Sequence, residues 1–73
     1  FTEPASTSLI EALSQRELDL LRLFKTELSG PEIAQELVIA LSTVRTHTKS
    51  IYNKLNVNSR RAAVKKAIEL GLI

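Results

Sequence analysis

Apolar residues recur along this chain at spacings of three and four, which is the spacing of amphipathic helices rather than of strands. Four such stretches are separated by short turns. The pattern predicts an all-α fold, a four-helix bundle, with helices at about residues 14–27, 30–37, 41–55 and 60–70. The first twelve residues, FTEPASTSLIEA, contain a Pro and a Ser/Thr cluster, so we expect 1–12 to be a linker or tail. Residues 13–73 then form one domain.

Sequence signals for helix ends support these limits. Two capping boxes, in which a Ser is followed three residues later by a Glu, begin the first and second helices. They are Ser14 with Glu17, and Ser29 with Glu32. Ser59 is a suitable N-cap for the fourth helix. Asn56 and Gly71 tolerate the left-handed conformation that ends helices, so we expect the third and fourth helices to stop there.

The third predicted helix has two different faces. At about 100° per residue, one face carries hydroxyl, amide and cationic side chains, and the opposite face is mostly apolar. The polar face comprises Ser42, Arg45, Thr46, Lys49, Ser50 and Asn53, and the apolar face comprises Val44, Thr48, Ile51 and Leu55. The apolar face suits burial in the bundle core, and the polar face is left for solvent or for a partner.

Charge is distributed unevenly along the chain. Residues 1–40 hold three Lys/Arg and seven Asp/Glu, whereas residues 41–73 hold seven Lys/Arg and one Asp/Glu. The net charge of +2 therefore hides a basic C-terminal half. A basic half that includes a polar-faced helix indicates an anionic partner, although a solvated Lys/Arg surface would give the same charge.

Composition narrows the function classes. The chain has no Cys, which excludes a disulfide framework and Cys-ligated zinc. The single histidine, His47, has no neighbouring metal ligand in sequence, and no nucleophile with an orienting group accompanies it. No apolar run approaches the ~20 residues that a membrane span needs. We therefore expect a non-enzymatic domain without metal, cofactor or membrane contact.

The second and third predicted helices form a familiar unit. A short helix, a tight turn and a longer polar-faced helix make the helix-turn-helix arrangement, in which the second helix enters the DNA major groove. The groove admits one α-helix, so this helix must bury one face in its own domain and offer hydrogen-bond donors on the other. Arg and Lys side chains suit guanine, and a Thr methyl group suits thymine.

Five segments carry a family resemblance. They are LSQRELDLLRLF (13–24), EIAQEL (32–37), STVRTH (42–47), IYNKLNV (51–57) and SRRAAVKKAIELGLI (59–73). In this order and at this spacing they resemble the LuxR-type (GerE-like) helix-turn-helix DNA-binding domain, over about Leu13 to Ile73. The segments LIEALSQREL, LSTVRTH and IYNKL are also similar to the C-terminal domains of large ATP-dependent, MalT-like activators.

The resemblance implies a function. We expect sequence-specific binding of double-stranded DNA by the cytoplasmic output domain of a transcriptional regulator. Because the chain begins at Phe1 rather than Met, we expect it to be a fragment of a longer protein. We also expect a homodimer on DNA and a monomer for the isolated domain, with RNA polymerase as a further candidate partner.

The resemblance also implies roles for individual residues. Base reading is implied for Arg45, Thr46 and Lys49. Phosphate contact is implied for Ser42, Thr43 and Asn53, and is expected from their helical positions for Ser50 and Lys54. The fourth helix matches the one through which such domains often pair, and its candidate contacts are Arg60, Arg61, Lys65 and Glu69.

Three residues depart from the family pattern. Glu27 stands where Gly is usual after the first helix, Ala40 where Ser commonly caps the reading helix, and Thr48 where an apolar core residue is usual. The capping role then moves to Ser42 or stays unfilled. A pairing of Glu17 with Arg60, which would orient the fourth helix, is a further hypothesis.

Two other function classes remain open. A sigma-factor region 4 also uses a helix-turn-helix with a similar start, but the segment NKLNVNSRRAAVKKAIELGLI belongs to the LuxR pattern instead. A helical protein-interaction module would expose an apolar face on the third helix, whereas the exposed positions predicted for it are polar.

Overall fold

Short turns join four helices in the computed structural model, which describes residues 13–73. The helices are α1 (Gln15–Phe24), α2 (Gly30–Leu37), α3 (Leu41–Leu55) and α4 (Arg60–Glu69). No strand occurs among residues 13–73, and the predicted all-α class is confirmed. The predicted limits of α2 and α3 match, and α4 ends one residue early. The predicted tail at 1–12 lies outside the described residues.

The first helix is shorter than predicted. It ends at Phe24 rather than near residue 27, so that predicted limit is wrong. The side chain of Thr26 explains the early stop, because its hydroxyl donates to the Leu23 carbonyl and accepts from the Leu28 amide (3.2 Å). Bonds of this kind offer the backbone an alternative to another helical turn.

One core holds the four helices together. Each helix contributes buried side chains to it: Leu20, Leu21 and Phe24 from α1, Ile33 and Ala34 from α2, Val44, Ile51 and Leu55 from α3, and Ala63 and Ala67 from α4. The members contributed by α4 are small, so that helix lies close to its neighbours. Long apolar side chains from α1 and α3 fill most of the interior. The orientation of α3 is therefore tied to α1 by the core itself.

The predicted caps form at three helix starts. The Ser14 hydroxyl accepts from the Glu17 amide (3.2 Å), and Glu17 Oε1 accepts from the Ser14 amide (2.9 Å). The pair Ser29 and Glu32 repeats this reciprocal box. Ser59 accepts from the Ala62 amide at the start of α4. These bonds satisfy amide groups that a helix leaves unpaired at its N-terminus.

Left-handed residues end the second and third helices. Asn56 follows α3 at φ 57°, as predicted. Val38 follows α2 at φ 56° and is 88% exposed. A β-branched residue is strained in this conformation, where Asn or Gly is usual. The tight turn between α2 and α3 therefore keeps Val38 in a backbone conformation that Val disfavours. Hydrogen bonds such as the one from the Ile39 amide to the Ala34 carbonyl (3.0 Å) stabilise this turn.

Arg60 fastens the end of α1. Its guanidinium donates to four backbone carbonyls, those of Leu23 (3.2 Å), Phe24 (3.1 Å), Thr26 (2.7 Å) and Leu28 (2.6 Å). It also lies 5.3 Å from the centre of the Phe24 ring. The hypothesised pair between Glu17 and Arg60 is therefore wrong. Seven residues separate Glu17 from Phe24, about 10 Å of helix at 1.5 Å per residue.

Ala40 is the N-cap of α3, and its side chain makes no capping bond. We expect Ala40→Ser to raise the free energy of unfolding by about 1 kcal/mol, because a Ser hydroxyl can accept an amide of the first turn. Urea unfolding measures the change. Ser42→Ala is the control and should have little effect on stability. A neutral Ala40→Ser together with a destabilising Ser42→Ala would assign the cap to Ser42 instead.

Candidate nucleic-acid interface

The third helix presents its predicted polar face to solvent. The exposed residues are Ser42, Arg45, Thr46, Lys49 and Asn53, whereas Thr43, Ser50 and Lys54 on its flank are half-buried. On the opposite side Val44, Ile51 and Leu55 are buried in the core. The structure thus brings all five exposed candidates together on one surface, with two cations one helical turn apart. No acidic residue lies in α3 to oppose them.

Two hydroxyl groups of α3 are bonded within the helix. Thr46 Oγ1 donates to the Ser42 carbonyl (3.0 Å), and Thr48 Oγ1 donates to the Val44 carbonyl (2.7 Å). The exposed side chain of Thr46 is therefore left with a methyl group and an acceptor oxygen. Thr48, the departure from an apolar core position, is half-buried with its donor satisfied.

Lys54 lies in an ion pair with the first helix. Its Nζ is 2.7 Å from Oε1 of Glu17, whose side chain is only 3% exposed. The side chain of Lys54 itself is 31% exposed. Lys54 was predicted to contact phosphate; the structure shows its ammonium group paired with an internal carboxylate, and the phosphate contact stays a prediction. Nothing in the sequence near either residue signals this contact, because the two are 37 positions apart.

The environment of Glu17 controls its protonation. Burial raises the pKa of this carboxyl, but hydrogen bonds from Lys54, the Ser14 backbone and Ser50, together with the charge of Lys54, outweigh burial and lower the pKa to about 2. Glu17 is therefore ionised at neutral pH. The half-buried Ser50, predicted to contact phosphate, also faces this carboxylate.

The fourth helix presents a second candidate surface. Arg61, Lys65 and Glu69 are exposed at intervals of four residues, while Arg60 turns inward to backbone carbonyls at the end of α1 and in the loop that follows it. Beside them a shallow groove of about 640 Å³ runs between α4 and the end of α1. Its apolar lining includes Phe24, Val64 and Ile68. Ile68 is 52% exposed, which is unusual for a large apolar residue and was not foreseen from the sequence.

Other kinds of site find little support in the part of the chain that the structure describes. Within residues 13–73 no group of three or more His, Asp or Glu side chains could hold a metal ion. His47 is half-buried on the flank of α3. None of the helices described is long and apolar enough to cross a membrane.

The short α2, the tight turn at Val38 and the two-faced α3, braced by α1 and α4, define a helix-turn-helix domain. The family model described as bacterial regulatory proteins, luxR family, matches residues 11–67. The chain therefore belongs to the luxR family of bacterial regulatory proteins, and it is a LuxR-type helix-turn-helix DNA-binding domain. The family predicted from the sequence is confirmed.

Relatives of this chain are transcriptional regulators. It is 41% identical over 58 residues to the HTH-type transcriptional regulator MalT of Vibrio cholerae, covering 80% of this chain and 6% of MalT. It is 44% identical over 61 residues to the probable transcriptional regulatory protein NarL of Mycobacterium tuberculosis, covering 84% of this chain and 28% of NarL. Since both MalT and NarL relatives match, the assignment of this chain to a MalT-like activator stays a prediction.

A solved structure shares the fold. The response regulator ChrA of a heme-sensing two-component system superposes with a TM-score of 0.82 at 42% sequence identity. The match covers 85% of this chain and 31% of ChrA. The chain thus spans less than a third of the length of each of these three relatives.

The lowered pKa of Glu17 predicts a pH dependence of stability. Because the pKa falls from 4.5 to about 2 on folding, the stabilisation is complete at neutral pH and is lost as pH falls from about 5 toward 2. We expect Glu17→Gln, which can keep the capping box, to cost about 1–2 kcal/mol at pH 7, allowing for solvent screening at the partly exposed Lys54. Urea unfolding between pH 2 and pH 7 measures this.

A matched control separates Glu17 from other carboxylates. Backbone and side-chain hydrogen bonds from Ser29 also lower the pKa of Glu32, but this residue is exposed. We expect Glu32→Gln to follow the wild-type pH profile closely, whereas Glu17→Gln should flatten it below pH 5. Parallel profiles for Glu17→Gln and the wild type would contradict the role of this ion pair.

Proposed function

We propose that this domain binds specific double-stranded DNA sequences by placing α3 in the major groove, as the output domain of a transcriptional regulator. The observation that carries the proposal is the division of α3 into a buried apolar face and an exposed polar face. A major-groove helix must be anchored on one side and offer donors on the other. The exposed residues of α3 meet that requirement.

The residues that we propose to contact base edges lie at the centre of the exposed face of α3. Arg45 and Lys49 lie one turn apart, and each can donate to guanine O6 and N7. Thr46 lies between them, and its methyl group suits contact with thymine because its hydroxyl donor is bonded within the helix. These three residues are the proposed source of sequence preference.

The residues that we propose to contact phosphate groups lie toward the edges of the same face. Ser42 and Thr43 lie in the first turn of α3, where backbone amides without a side-chain cap can also bind an anion. Asn53 is exposed three turns further on. Such contacts set affinity and its salt dependence rather than sequence preference. Ser50 and Lys54 are less available for this role because both interact with Glu17.

The two alternative functions are weaker. Membership of the luxR family and relatives that are transcriptional regulators favour a regulator over a sigma-factor region 4. A protein-interaction module would use an apolar surface of α3, and the exposed surface of α3 is polar. We propose RNA polymerase as a further partner of such a regulator, as an activator would need.

We also propose that two copies pair through α4 when both are bound to DNA. In a two-fold contact centred on Lys65, Arg61 of one copy would face Glu69 of the other. The two Lys65 side chains would repel each other at the axis, which keeps this contact weak. One helix is also a small interface, since stable complexes bury about 1,200–2,000 Å². The isolated domain should therefore be monomeric.

Substitution of the cations on α3 tests base reading. We expect Arg45→Ala and Lys49→Ala each to relax preference at particular base pairs, at a cost of about 1–3 kcal/mol for the best site. The measurement is affinity for a duplex selected from random sequence and for its single-base variants, at several salt concentrations. Lys66→Ala on α4 removes the same charge away from α3 and should leave base preference unchanged. A common loss on all duplexes would assign Arg45 and Lys49 to the backbone.

The exposed Ile68 tests pairing. We expect Ile68→Lys to abolish cooperative binding to two half-sites about one helical turn apart, because it adds like charge beside Lys65. Affinity for a single half-site should stay within about twofold, since Ile68 is not part of the core. Sedimentation without DNA should show a monomer for both proteins. A tight wild-type dimer without DNA, or full cooperativity in Ile68→Lys, would contradict this pairing.

A further inference from the structure

Glu17 is a buried charge that lies outside the DNA contacts proposed for α3. It lies at the start of α1, and its side chain is 3% exposed. The capping box alone does not require burial, because Glu32 completes the same box at α2 while exposed. A buried carboxylate is costly unless it is paired and hydrogen-bonded. Capping alone therefore does not explain why Glu17 is buried against α3.

One oxygen of Glu17 joins two helices. Oε1 accepts from the Ser14 amide at 2.9 Å and from Lys54 Nζ at 2.7 Å. The first of these partners is fixed to the start of α1, and the second belongs to the last turns of α3. Ser50, one turn before Lys54, faces the same carboxylate and helps to lower its pKa. Two neighbouring positions of α3 thus interact with one carboxylate on α1.

The hydrogen-bonded ion pair between Glu17 and Lys54 can restrict the small rotations of α3 about its axis that apolar packing still permits. Burial of Ile51 and Leu55 sets which face of α3 turns inward, but hydrophobic burial is non-directional and leaves small rotations possible. Ser50 and Lys54 follow Lys49 and Asn53 directly in sequence, on the flank of the exposed face. A rotation of about 20° moves an atom ~6 Å from the helix axis by about 2 Å, which is enough to break a base contact.

We propose that Glu17 is a positioning residue for DNA recognition, which fixes the rotation of α3 through Lys54 and Ser50, and that Lys54 stays with Glu17 rather than contacting phosphate. The inference rests on the proposed function, in which α3 reads the bases. It assigns a part in sequence preference to a residue on α1 that does not itself touch DNA. It also replaces the phosphate role expected of Lys54.

An arrangement in which Lys54 contacts phosphate rather than Glu17 makes different predictions. If Lys54 left Glu17 to bind phosphate, Glu17→Gln would make that move easier and raise affinity for every duplex. Lys54→Met would then reduce the slope of log affinity against log salt by about 0.9, the value for one lost phosphate contact. If Lys54 positions α3, Lys54→Met should leave the salt slope close to that of Lys66→Met, which removes one charge from α4.

The experiment compares Glu17→Gln, Lys54→Met and the double variant Glu17→Gln/Lys54→Gln with the wild-type chain. Affinity is measured for the selected duplex, its single-base variants and a random duplex, each at several salt concentrations. We expect each single variant to lose about fivefold to tenfold in affinity for the selected duplex and about twofold or less for the random one. That change is about 1 kcal/mol of specificity at 1.4 kcal/mol per tenfold.

The double variant keeps the test valid if a single variant folds poorly. It leaves no unpaired buried charge, and its two amide side chains can still hydrogen-bond to each other. We expect it to recover at least half of the lost specificity, with the salt slope of Lys66→Met. A weak double variant with a slope reduced by about 0.9 would overturn the proposal, because it would show a lost phosphate contact.

The outcomes also separate this inference from the proposed function. A wild-type chain without any base preference would overturn the reading role of α3 and this inference with it. A wild-type preference that survives Glu17→Gln and Lys54→Met unchanged would overturn this inference alone. Higher affinity for all duplexes in Glu17→Gln would do the same.

Discussion

The packing of α3 against α1 is the interaction on which the rest of this domain depends. Ile51 and Leu55 are almost completely buried in the same core as Leu20 and Leu21 of α1, and they occupy the same helix that carries the exposed Arg45. Few residues are available for a core in a domain of this size. The same 15-residue helix therefore contributes to the core and also carries the proposed binding surface. Any change that repacks its buried side also displaces its exposed side.

Polar contacts at the two ends of α1 complement this packing. At its start, Glu17 bonds to Lys54 of α3, and at its end the carbonyls around Phe24 receive the guanidinium of Arg60 from α4. Burial of the apolar faces sets which side of each helix turns inward, and hydrogen bonds of defined geometry restrict the small rotations that remain. The first helix is thus bonded both to α3, the proposed reading helix, and to α4, the proposed pairing helix.

Local sequence signals predicted much of this structure, and they failed where contacts join distant residues. The capping boxes, Asn56 and the two faces of α3 follow from spacings within a few residues, and the structure confirms them. The end of α1 was missed because it depends on the side chain of Thr26. Glu17 was paired with the wrong cation, since a helical wheel shows which residues face inward but not which helix they meet. The DNA-contact residues themselves stay predictions.

Contacts between distant residues also change how the charge of this domain is understood. The C-terminal half appears strongly basic by count, with seven Lys/Arg in residues 41–73. Lys54 and Arg60 are engaged inside the domain, and three more lie on α4, which leaves Arg45 and Lys49 on the exposed face of α3. Cations held in internal bonds release fewer counterions than their number suggests. Charge counts therefore overstate how many cations of this half face a DNA backbone. In the proposed function, preference for one DNA sequence depends on how accurately α3 is oriented, and we propose that its contacts with α1 control this orientation.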